Sequence, residues 1–379
     1  MAFGSKRRLV TMGGAAPFSL SAFMARQSDG FFYDFTRTDR HFQEHTGPTL
    51  ADDIGESIGL ALDQRTWAGA TPSSAFGPEL VPDSTLSDVS ALTLQTDWSA
   101  SAGVVTKVGG ASGRFVSVTG NLVTVGATYY STTVVSARSA GTVLVNVGSV
   151  DGVGRTAAGT YTEYVRATTT GTPSPAGLTL YGDSTFAGSV DSLSVRLVPG
   201  YSALQSTGAA KPTRQAGGAK FDGSDDNLLT TYYAGSGSNF IVALVTIPAS
   251  IPVAQVVIGA FGGGADRSFL SVNTSGFAYF GLGSLSGGAQ VGTTDIRGTE
   301  TVIGLSFDGS TARLFVGSSM EYSGAQSGSP TTTVPYRLGA LNSSGTAFNF
   351  FAGSIKKIVA GREHLTLARY LQIRAALLA

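Results

Sequence analysis

The chain has no cysteine at all. Disulfide staples, thiolate nucleophiles, zinc ribbons and cysteine-held iron–sulfur clusters are therefore excluded. Charge is scarce as well. Acidic and basic residues make up 13% of 379, about half the ordinary share, and 25 of each sign cancel. A chain without a net field has nothing to steer it to DNA, RNA or an anionic membrane, so no nucleic-acid partner is expected. No run of about 18 apolar residues occurs, so no membrane insertion is expected either. Heptads that could supply a coiled-coil stalk are missing. Histidine is down to three residues, His41, His45 and His364, which leaves little material for a serine triad or a zinc site.

What is present is glycine, 51 residues of it, together with much serine and threonine and an apolar share of 42%. That is enough to bury a core and sets the chain apart from disordered low-complexity polymers. The first residues, "MAFGSKRRLVTMGGAAPFSLSAFMARQ", place Lys6, Arg7 and Arg8 ahead of mildly apolar residues. Gly13, Gly14, Pro17 and Ser19 break that stretch and Phe23 spoils a small-x-small cleavage pattern, so a retained, extended arm over 1–30 is expected. Residues 31–69 carry more charge, and "ATPSSAFGPE" reads as a linker.

From Leu80 onwards the pattern is that of strands cut at short intervals by glycine, asparagine, aspartate or proline, among them "RFVSV", "TVLVNV" and "SLSVRLV". In the last, Leu193, Val195 and Leu197 face one way and Ser194 and Arg196 the other. "NFIVALVTI" (239–247) is apolar on both faces, and "FDGST" (307–311) is a hairpin turn. The final "LTLARYLQIRAALLA" changes to helical spacing, with Thr366 as N-cap and Leu367, Leu371, Ala375 and Leu378 on one face. The fold class expected is all-β: two antiparallel β-sandwiches of jelly-roll type, with an extended N-terminal arm and a short C-terminal helix.

Chemistry-bearing motifs are few. "KFDGSDDN" gathers Asp222, Asp225 and Asp226, oxygen ligands that calcium could take, with Asp191 as a further candidate. The alternative is that Asp222-Gly223 turns a hairpin and its neighbours are solvated. No cofactor is expected beyond that structural calcium. Glu163, Glu300, Glu321 and Glu363 offer no evident carboxyl pair for glycoside hydrolysis. "FGGGADR" has no phosphate-loop lysine. The remaining candidates are aromatic rings that could lie against a sugar face: Trp98, Tyr129, Tyr130, Tyr164 and Tyr181, from a wider set that also holds Tyr232 and Tyr233.

Several stretches taken together resemble proteins of tailed bacteriophages and gene transfer agents. In 31–69, Tyr33, Asp34, Phe42, Gln43, Gly47, Gly59, Leu62 and Asp63 match a segment common in their structural proteins, although His45 departs from it. "AAGTYTEYVRAT" and "GDSTFAGSVDSLSVRL" resemble the last strands of carbohydrate-binding jelly rolls. "KFDGSDDNLLT" and "FAGSIKKIVAGREHLTLARYLQIRAALL" are similar to a concanavalin A-like (laminin G-like) sandwich of phage fibres and spikes.

The resemblance implies a virion-docking arm at 1–30, using Lys6, Arg7, Arg8, Phe18 and Phe23. It implies a segment 31–76 that packs with a concanavalin A/laminin G-like sandwich at 200–379, and a carbohydrate-binding-module-like jelly roll at 77–199 inserted between the two. The function implied is non-enzymatic. A tail fibre or head spike, made in the bacterial cytoplasm and displayed on the virion, would attach to host cell-surface glycan as a homo-oligomer in contact with capsid, tail or baseplate proteins. A decoration protein that stabilises the particle, or less readily a polysaccharide depolymerase, are the alternatives.

Overall fold

Leu193 and Val195 are buried and Leu197 half-buried in one core, while Ser194 and Arg196 turn outward, as a period of two requires. In the computed structural model, residues 18–47, 49–65, 76–110, 114–118, 123–169, 177–264, 266–283, 289–326 and 333–379 are described. Among them the chain is almost entirely β, arranged as two sandwiches.

The larger sandwich packs an eight-stranded sheet on an eleven-stranded one. At the middle of the first lies Ala352–Gly361, flanked on one side by Asn239–Thr246 and on the other by Gly218–Asp222 and Gly30–Asp34 in series. The second sheet takes in the short strands His41–Phe42 and Leu60–Ala61, which reach Ala203–Leu204 and so join the early chain to the late one. One strand pair is parallel, Gln255–Gly263 with Leu341–Ser343; the others between strands are antiparallel. Phe221, expected to point inward, is buried beside Phe351 at 6.1 Å. A Cβ at Gly339, where φ is +74°, would lie 2.2 Å from the Phe221 ring, so that turn accepts only glycine.

Asn239–Thr246 shows why a strand can be apolar on both faces. Ile241, Ala243 and Val245 enter the core between the sheets. Phe240, Val242 and Leu244 face the other way, under two helices. One is the C-terminal helix Leu367–Leu378, capped as expected by the Thr366 hydroxyl, which accepts from Arg369 N at 3.2 Å. Its buried stripe is Tyr370, Ile373 and Leu377, not the leucine face inferred from spacing; Leu367 and Leu378 are exposed. Tyr370 sets that rotation. It stacks on Phe315 at 4.4 Å, and its hydroxyl reaches the carbonyls of Val302 and Gly317.

The other helix, Leu20–Ala25, corrects the extended arm. Ser19 caps it by accepting from Ala22 N, and Phe23 is 2% exposed against Phe240. Phe18 packs on Phe23, and the Arg369 guanidinium lies over both rings. Phe23 is thus part of the fold and unavailable to dock elsewhere, because a ring is worth more inside a core than in water, while Phe18 is half-buried against it. Lys6, Arg7 and Arg8 lie outside the described residues.

The smaller sandwich, within 77–199, pairs two five-stranded sheets around a core of its own. Its two ends run side by side: Gly77 N donates to Leu197 O and Leu80 N to Val195 O. Glu79 fixes this root, taking Val195 N at 2.8 Å and the Ser194 hydroxyl at 2.6 Å.

Candidate functional site

The acid loop follows the strand Gly218–Asp222. Gly223 turns the chain at φ +85°, and Asp222 Oδ1 collects the amides of Ser224, Asp225 and Asp226 at 2.8, 3.3 and 3.4 Å. Asp226 is 5% exposed, and its Oδ2 accepts from Asp222 N at 2.9 Å. Asp222, Asp225 and Asp226 each bring a carboxylate oxygen within 4.8 Å of the others. Burial, then the neighbouring Asp222 charge, pushes the Asp226 carboxyl up to about 7. Asp222 stands below its usual range because three amides stabilise its charge against the cost of burial.

Three hard oxygen donors in reach of one point suit calcium in kind. The amide bonds alone, however, account for the loop as an Asx-type turn. Asp191 is no fourth ligand. It lies on Ala187–Val198 in the other sandwich, where the Ser136 hydroxyl donates to it. A second acidic group, Asp52, Asp53 and Glu56, was not singled out by spacing.

Nor is a catalytic centre assembled from the histidines. Ser306 Oγ lies 3.4 Å from His364 Nδ1, and His364 Nε2 lies 3.6 Å from Asp308. The grouping has the makeup of a triad, yet Ser306 is fully buried and its oxygen accepts from Leu365 N at 2.7 Å. It fastens the chain that leads into the C-terminal helix. His41 is buried against Phe35, its Nδ1 3.0 Å from Arg37 O, and burial holds it down to about 4. Its side chain is thus enclosed, whereas His45 is half-buried beside Lys211.

Most of the tyrosines and the tryptophan proposed as sugar platforms have other tasks. Trp98 is buried against Phe186 at 5.9 Å. Tyr129 is buried, and its hydroxyl accepts from Thr124 N at 2.7 Å. Tyr164 is buried where the sandwiches meet, 4.9 Å from Phe42, while Tyr130 fills the space between Tyr164 and Phe76. Buried rings have no face left for a sugar. Tyr181 is half-buried on Leu178–Gly182. The seam is completed by Tyr164 N donating to Thr46 O at 2.6 Å and by Arg166 donating to Leu229 O at 3.1 Å and to Ser202 O.

Beside this seam lies a cavity of about 220 Å³ between the sandwiches. Thr124 and Gly126 line it from the smaller sandwich, and Gly200, Tyr201, Thr231 and Tyr233 from the larger. Tyr233 is 43% exposed, an open ring at the mouth. Gly126 is required by its φ of +81°, not by crowding, since a Cβ there would meet Thr231 at an ordinary 3.4 Å. Gly200, at φ +87°, leaves no room for a Cβ beside Asp63. Asp63 is buried and takes the amides of Tyr201, Phe32 and Arg65 at 2.9, 3.0 and 2.9 Å, pinning the floor of the cavity. Desolvation raises it to about 6 despite those bonds. Burial, and donation to Asp29 at 2.6 Å, push the Tyr201 phenol up to about 12, so it stays protonated.

No protein-family model and no curated protein matches this chain. Among solved structures, the Ruminococcus gnavus IT-sialidase CBM40 bound to alpha2,3 sialyllactose is similar over 37% of this chain and 83% of its own, at 18% identity and a TM-score of 0.33. A Trypanosoma rangeli sialidase mutant displaying trans-sialidase activity matches over 48% and 31%, at 14% identity and 0.37. The NanB sialidase from Streptococcus pneumoniae matches over 37% and 24%, at 15% identity and 0.31. Likenesses of this size assign neither ligand nor activity.

Proposed function

We propose that this chain is a non-enzymatic attachment protein, displayed on a tailed phage or phage-like particle, that holds host surface polysaccharide in the cavity between its sandwiches. The observation that carries the sugar half is the open Tyr233 ring beside the threonine hydroxyls of that cavity. An aromatic face flanked by polar groups on a rigid frame is how carbohydrate is commonly held. The particle half rests on the resemblance over most of 31–379. Tyr233→Ala removes an outward ring whose backbone carbonyl, not its side chain, serves the fold by accepting from Arg362.

A glycan array probed with the full chain and with this variant is the test. Binding that is lost in Tyr233→Ala supports the reading; binding that survives, or none at all, overturns it. For the particle half, particles lacking the protein should fail to adsorb. Normal adsorption with lost heat resistance would make it a decoration protein instead.

A further inference from the structure

We infer that the saccharide seated in this cavity is uncharged, and that one terminal sugar unit, not an extended chain, occupies it. The inference rests on reading the cavity as a sugar site and adds the class of sugar. No aspartate, glutamate, lysine, arginine or histidine lines it. The hydroxyls of Thr124, Thr231 and Tyr233 make no hydrogen bond among the described residues, so three free donor–acceptor groups surround one open aromatic face.

The nearby charges lie behind that wall. Arg362 pairs with Asp29 at 2.8 Å, and Asp63 is held by the backbone amides of Tyr201, Phe32 and Arg65. The Nη1 atoms of Arg65 and Arg362 are buried without a hydrogen-bond partner, yet neither side chain lines the cavity. A sialic or uronic acid would therefore bury a carboxylate with no cation to meet it, a cost that neutral hydroxyls cannot offset. An uncharged sugar meets hydroxyls with hydroxyls and lays its apolar face on Tyr233. The size argues for one unit, since about 220 Å³ lies below the 300–1,000 Å³ of sites for larger ligands.

The test is titration of the full chain with neutral and acidic oligosaccharides at low and high salt, followed by calorimetry and by tyrosine fluorescence. Lactose and maltotriose serve as neutral probes, sialyllactose and a galacturonate trimer as acidic ones. Binding of a neutral probe that is unaffected by salt, and about tenfold weaker in both Tyr233→Ala and Thr231→Val, bears the inference out. Acidic probes that bind more tightly than neutral ones, and lose affinity with salt, overturn it while leaving the cavity as the sugar site, provided that Tyr233→Ala still weakens them. Binding indifferent to both substitutions overturns the cavity reading itself. Affinity that keeps rising from trisaccharide to longer neutral chains overturns the single-unit seat.

Discussion

Asp226 is a carboxyl that the fold would sooner keep protonated. Its pKa rises from the unfolded value near 4 to about 7, and that of Asp63 to about 6. A raised acid binds its proton more tightly in the folded chain. The stability it contributes is complete below about pH 4 and is lost as pH climbs to the folded pKa. Asp308, held down to about 2 by the amides of Thr311 and Ser310, works in the opposite sense and only below pH 4. His41, held down to about 4 by burial, works against Asp226 between about pH 4 and 6.5, so the Asp226 contribution is read by difference. Asp226→Asn, which keeps an oxygen for Asp222 N, should gain thermal midpoint relative to the native chain as pH rises from 4 to 7. A difference between the two midpoints that stays constant over that range would contradict this account.

At this scale the acid turn was readable from Asp-Gly, and Phe221 from its place ahead of it. The tyrosines were not, although one local rule sorts them: adjacent residues in extended chain point to opposite sides. Tyr129 goes to the core and Tyr130 to the seam, while Tyr232 goes to the core and Tyr233 to the cavity mouth. The rule yields the alternation but not the sign, because the sign depends on which body lies across the sheet.

The elements were legible where pattern and environment agree. Two-sided apolarity in Asn239–Thr246 meant cover on both faces, and helices supply the second. The C-terminal helix was legible in extent and in its cap but not in its rotation. Leucine counting favours one face, whereas a tyrosine that can both stack on Phe315 and satisfy two carbonyls outweighs it. Thr366→Ala removes the cap bond to Arg369 N and should cost about 1 kcal/mol, read as a shift in the denaturation midpoint. An unchanged midpoint would mean that tertiary packing alone holds the helix. The helix Leu20–Ala25 gave no signal, since six residues are too few for a period to show.

For the molecule as a whole, two separate cores joined at one seam should unfold in two steps that the seam couples. Arg166 is the strongest polar tie across it. It is partly buried with its Nε enclosed, burial lowers its pKa to about 10, and no carboxylate among the described residues pairs with it. Arg166→Ala should strip donors from Leu229 O and Ser202 O, cost about 2 kcal/mol, and separate the two transitions in a calorimetric scan. A single transition unchanged in position would show the tie to be idle. The insertion of one sandwich into the chain of the other came only from the resemblance on either side of it, since the strand texture of 80–199 simply continues after 200. The cavity was not, being built from Thr124, Gly200 and Tyr233, which share no local pattern.

The root held by Glu79 has a mechanical corollary. A body hung on a single strand can swivel about it, but one hung on two neighbouring antiparallel strands resists twist. A pull on the smaller sandwich would reach the larger one along both ends of the insert at once, with Gly77 and Leu197 sharing the load side by side. The mouth at Tyr233 would keep its aim under tension.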